Sequence, residues 1–561
     1  MSDTPTEHLG LRDYPEDALY GILSFLPDPV APVHTGDGPL IARRLTEQPK
    51  LTVLKDKGYE RHGWLPSTWV CRLWRSIILS QKWHHVPLVP RSDMSISIIR
   101  SFAPLPIDLY IDEKERELPD SRQAIETVIG LFGTRLHAIH LWTSGGERSL
   151  DDPVLFDGLR AVQTPALQKF YVHCVESRLA GLFGGNNSVT VVIVGHSPGV
   201  PLPASLGSHL QILDLNRCKV VNPSALQSCA PKIVCLRDCQ GFWGRDEPHP
   251  FIVDGVPMFD PEITDGQQFG IPIKCHLLRV LRLFSGSLPS AEVLAAVGGQ
   301  VSLPVLEELE LSGFIPDVER VFEALVFPPT ASVYLSCTYG FEEVDLSSRP
   351  LVHRLAVRYS EGDAVTSFSW DTMKLDVKEG YFSLECVSAR GTLLAISFRD
   401  MMGGRPAMAV HRRFEIANSF LGGALAIFAD AQALSVYSSI EFETDWITGE
   451  QRRCRWVEPA AVHMMAITDL ALTPQAAKHF LEYCEKQRAE GNTRDTLSQL
   501  ERLKLLIPSP NDTQYTSPLG RDILLGLRAE SSARETPFQV VFDEGVLGEG
   551  EMSSAEDIPE E

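Results

Sequence analysis

Leu210-Gln-Ile-Leu213-Asp-Leu215-Asn-Arg-Cys218 is followed 21 residues later by Pro231-Lys-Ile-Val234-Cys-Leu236-Arg-Asp-Cys239. The two stretches share one pattern, L-x-x-L-x-L-x-x-C. In an extended chain alternate side chains share a face, so Leu213 and Leu215 point one way and Asp214 the other. A pattern that returns at a fixed interval marks a repeat architecture, in which each unit buries its apolar side against the next.

The same spacing extends in both directions. Leu136/Ile139/Leu141, Leu167/Phe170/Val172 and Val189/Val192/Val194 precede the pair. Leu278/Leu281/Leu283, Leu306/Leu309/Leu311 and Val352/Leu355/Val357 follow it, with Val333/Leu335 between the last two. Weaker matches stand at Ala431/Leu434/Val436, Ile467/Leu470/Leu472 and Leu500/Leu503/Leu505. Middle positions from 170 to 234 are 22, 21 and 21 residues apart, and 281 to 309 is 28. Leucine-rich repeats have periods of roughly 20–29 residues and take Asn or Cys where Cys218 and Cys239 stand. The two thiols are expected to stack as a buried ladder, with a metal site as the alternative.

Helical periodicity lies between strands at Ser290–Val297 and Val318–Leu325, and near the end at Pro474–Arg488. The expected fold class is α/β, an irregular leucine-rich-repeat solenoid over 91–540. Two insertions interrupt it. Residues 240–272, with Pro, Gly and aromatics, read as a loop. Residues 360–400, with alternation from 366 on, read as short antiparallel strands. Residues 541–561 form an acidic tail expected to be disordered, since Glu544–Glu561 has no basic residue.

The 561-residue chain has a formal charge of −22, which disfavours nucleic acid and anionic lipid as partners. No apolar run approaches the roughly 18 residues needed to span a bilayer. The first ten residues are expected to be flexible, with neither the basic region nor the apolar core of a secretory signal. Eleven scattered cysteines without a C-x-x-C pair point to reduced thiols and a cytoplasmic or nuclear location. No cofactor is implied.

Two short amphipathic helices are expected upstream. The first carries Pro15 in its opening turn, Glu16 and Asp17 at the positive end of its dipole, and Leu19, Ile22, Leu23 and Leu26 on one face. Residues 27–66 read as a long loop with room for a short helix near 40–48. The second helix begins near Ser67 and aligns Val70, Leu73, Trp74, Ile77 and Ile78, with Trp69 alongside and Trp83 closing the segment. These tryptophans either fill a local core or anchor a partner.

Pro15-Glu16 with Leu19, Ile22 and Leu26, then Val70-Cys71-Arg72-Leu73-Trp74-Arg75 and Trp83, resembles an F-box over residues 11–90. The Gly63-Trp64 pair and the long loop are similar to the F-box proteins of mushroom-forming fungi. Tyr14 and Lys82 depart from the family pattern. The resemblance implies a helical module docking on the Skp adaptor of a cullin ubiquitin ligase, with an unidentified protein substrate held by the repeats. Pro15, Leu19, Ile22, Val70, Cys71, Trp74 and Trp83 are the candidate docking residues. The alternative is a repeat interaction protein whose helices only cap the first repeat.

Catalytic signals are weak. Gly195-His196-Ser197-Pro198-Gly199 matches G-x-S-x-G, but Pro198, Gly199, Pro201 and Pro203 oppose the helix that a hydrolase elbow needs after Ser197. His137 and His140, three apart on a strand, are expected on opposite faces and so apart as metal ligands.

Overall fold

A computed structural model describes residues 86–88, 99–100, 104–112, 119–142, 166–173, 189–195, 209–218, 229–239, 251–253, 256–258, 275–296, 300–339, 349–360, 369–378, 381–400, 417–438, 443–444, 451–452, 454–491, 496–506 and 517–542. The chain divides into two compact units, 1–282 with 289–299, and 283–288 with 300–561. Each is mixed α/β and built on mostly parallel strands.

The first unit contains β1 (Val86–Leu88), β2 (Ile107–Asp112), α1 (Pro119–Phe132), β3 (Leu136–Trp142), β4 (Lys169–His173), β5 (Val191–Gly195), β6 (Ile212–Asn216) and β7 (Ile233–Arg237). Next come a short antiparallel hairpin, β8 (Phe251–Val253) and β9 (Val256–Met258), then β10 (Val280–Phe284) and α2 (Ala291–Ala296). This hairpin lies within the 240–272 insertion. Val253 pairs there with Val256, and Phe251 with Met258.

From β1 to β7 every strand pairs in parallel with the next in sequence, and β7 pairs with β10. One junction recurs at the strand entrances. The Gln168 carbonyl accepts from Thr190 and Val191, that of Gln211 from Lys232 and Ile233, and that of Lys232 from Arg279 and Val280. This repeated bifurcation holds the register. Leu109, Ile139, Phe170, Val192, Leu213 and Val234 thus form one buried row across six strands. Burial of each such side chain contributes roughly 1.5–3 kcal/mol.

After β6 and β7 the chain turns through left-handed Arg217 (φ 51°) and Asp238 (φ 49°), which brings Cys218 and Cys239 back inside. The Cys218 thiol lies 3.3 Å from the Val194 carbonyl and 3.2 Å from that of Asn216. Cys239 repeats this one strand later, 3.2 Å from Leu215 O and 3.3 Å from Arg237 O. Each thiol therefore ties its own turn to the preceding strand.

The second unit begins with β11 (Val301–Ser302), β12 (Glu308–Phe314), α3 (Ile315–Ala324), β13 (Leu325–Val326), β14 (Ser332–Tyr339) and α4 (Arg349–Ser360). It continues with β15 (Trp370–Lys378), β16 (Tyr381–Ser388), β17 (Leu393–Asp400), β18 (Ala433–Ser438), β19 (Glu443–Thr444), β20 (Gln451–Arg452) and α5 (Val457–His463). It ends with β21 (Asp469–Leu472), α6 (Pro474–Ala489), β22 (Arg502–Leu505), α7 (Ser517–Ser532) and β23 (Gln539–Phe542).

Its main strand order is β12-β14-β17-β16-β15-β18-β21-β22-β23, parallel except for β16, which runs against both neighbours. The alternating segment near 366–400 thus becomes three strands inside the ladder. Phe382 and Phe398 pack there against Phe420, and Trp370 meets Tyr359 and Phe428 edge-on, each at 5.4 Å.

One expected strand is a helix. Val352/Leu355/Val357 lies in α4, where Leu351, Val352, Leu355 and Tyr359 are buried and Val357 is exposed. Spacing of three serves a helix as well as the L-x-x-L strand entry. Pro350 favours a helical first turn. Arg358 fixes the helix by donating to the Phe327 and Pro328 carbonyls at 2.6 and 3.1 Å, with its guanidinium 3.3 Å above the Phe327 ring.

Candidate recognition surface

With the leucine positions turned inward, the intervening positions of each strand form the opposite face. In the first unit that face is closed. Tyr110 on β2, His140 on β3 and Tyr171 on β4 stand in register and stack face to face, with centroids 4.3 Å apart at both steps and planes within 9° of parallel. His140, the middle ring, is 3% exposed. Burial lowers its pKa to about 3, against a smaller upward pull from Asp108; Lys169 and His137 add to the lowering. The ring is therefore neutral at physiological pH. Burial, aided by Asp108, raises the Tyr171 phenol.

His137 shares this face, contrary to the strand-parity expectation. Leu136 pairs with Ile107 but Ala138 pairs with Asp108, so His137 occupies a bulge that breaks the alternation. Its Nδ1 lies 2.8 Å from Asp108 Oδ1 and its Nε2 3.3 Å from Gln168 Oε1. Asp108 and Tyr110 are two apart on β2, so both histidines lie against one face of that strand. Further along, Cys235 pairs with Asp214, and burial followed by Asp214 pushes its thiol up, against Arg237 and Arg282. Every one of these side chains except the two arginines and the Gln168 and Lys169 edges is less than a tenth exposed.

The second unit presents a different face. Its inward positions are buried, whereas most outward ones are half-buried or exposed, as in the iBiBeBiB alternation of β16. Ser312, Ser336, Ser397 and Ser383 stand in register on β12, β14, β17 and β16, followed by Asp376 and Tyr437 on β15 and β18. One row over, Lys374 sits opposite Glu385 and places its ammonium 5.0 Å from the Tyr437 ring centroid. Arg399 lies 5.7 Å from the Tyr381 centroid, and Arg502 pairs with Asp469. Ser397 is buried in this row, while the half-buried Tyr381, Tyr437 and Arg399 and the exposed Lys374 can supply oriented contacts. Interface anchors are enriched in Tyr and Arg.

The candidate docking residues Pro15, Leu19, Ile22, Val70, Cys71, Trp74 and Trp83 lie outside the described residues, as does Ser197. Among the described residues no group of three or more His, Cys, Asp or Glu side chains could hold a metal ion. No helix among them is long and apolar enough to cross a membrane. Sequence reading missed the Tyr110–His140–Tyr171 stack. Its signal is an aromatic residue one position after the middle apolar residue in three consecutive strands.

No family model, no curated protein and no solved structure matches this chain. Fold and surface together define a mixed α/β protein with a large, mostly parallel sheet.

Proposed function

We propose that this protein is a non-catalytic substrate-recognition adaptor of a Skp–cullin–F-box ubiquitin ligase. Its N-terminal helices dock on a Skp-type adaptor and, through it, on cullin. A leucine-rich-repeat solenoid presents the protein substrate from the open strand face of the second unit. The chain performs no bond chemistry; it raises the effective concentration of substrate and orients it toward the ligase. It acts in the cytosol or nucleus, consistent with the buried thiols of Cys218, Cys229, Cys235, Cys239, Cys337, Cys386, Cys454 and Cys484, none of which is in a disulfide.

One observation carries this reading. The F-box-like sequence runs to Trp83, and the first strand of the parallel ladder begins at Val86. A docking motif thus leads directly into the parallel strand ladder. The tight packing of the first unit's outward face supports a substrate surface on the second unit, where Lys374, Tyr437, Tyr381 and Arg399 remain near solvent.

Co-expression with a fungal Skp adaptor tests the proposal. The chain is expected to co-purify with it, and Leu19→Asp or Trp74→Asp to abolish co-purification while hydrogen exchange of the β2–β7 peptides stays unchanged. Failure of the unaltered chain to co-purify, with those peptides protected, would leave a repeat interaction protein without a ligase role. Stoichiometric labelling of Ser197 by a fluorophosphonate would instead indicate a hydrolase.

A further inference from the structure

We draw no further inference here: the strongest candidate, the buried first turn of α6 with the Gln475 side-chain amide nitrogen unpaired beside it, carries nothing, because a helix N-terminus alone is not a site and nothing in the structure directs that amide toward the helix end.

Discussion

Acid should weaken the first unit through a single side chain. His140 lies between Tyr110 and Tyr171 and is held neutral, with its pKa lowered from 6.5 to about 3. The unfolded chain binds this proton more readily than the folded one. The neutral ring's contribution is therefore fully present above pH 6.5 and is lost as pH falls toward 3. Each pH unit in that window removes about 1.4 kcal/mol, so the loss is about 3 kcal/mol near pH 4.5 and on the order of 5 kcal/mol in full. His140→Phe keeps a ring in the stack and removes the titration. Urea unfolding of both proteins at neutral pH and at about pH 4.5, read by hydrogen exchange of the β2, β3 and β4 peptides, isolates the effect. Carboxylates common to both chains cancel in the comparison. The unaltered chain should lose about 3 kcal/mol more than the variant. Parallel losses would refute a buried neutral His140.

Three further outcomes follow from packing. Leu213→Ala removes a fully buried side chain from the middle of a row and should cost roughly 2–5 kcal/mol in urea unfolding; a loss below about 1 kcal/mol would contradict the row. A Cβ at Gly423 would lie 2.8 Å from Val352 Cγ1, and valine is stiff at χ1. Gly423→Ala should therefore destabilise by about 1–3 kcal/mol, and Val352→Ala should recover much of that loss in a double-mutant cycle. Cys218 and Cys239 are fully buried, so a thiol reagent should modify them only on unfolding, as peptide mass spectrometry of native and urea-treated protein can check.

Much of the strand ladder was legible because the row is apolar throughout and recurs at nearly constant steps from Phe170 to Val234. Leu213, Leu215, Val234 and Leu236 need only a neighbouring strand to bury them, and sequence shows that neighbour about one period away. The α3 and α6 helices were legible too, since Val318, Val321 and Phe322, or Ala477, Phe480 and Cys484, keep helical spacing. Val352 and Leu355 were not, because a three-residue step is shared by both templates and the flanking Pro350 decides between them. His137 escaped parity because one inserted residue reverses which side a strand position faces, and local sequence does not mark the bulge. The spatial order β14-β17-β16-β15-β18 was also hidden. Alternation reveals an antiparallel run but not that its last strand returns beside the strand before it. Of the candidate surfaces, the sequence offered only the repeats as a whole, without singling out the open face of the second unit. The closed face of the first unit depends on rings from three strands meeting in space.

Light scattering coupled to size exclusion, on the full chain mixed with a purified Skp-type adaptor, tests the central claim most directly. The account predicts a single peak whose mass is the 62.2 kDa of this chain plus one adaptor. Two separate peaks, from a chain whose β2–β7 and β12–β18 peptides remain protected from exchange, would contradict it.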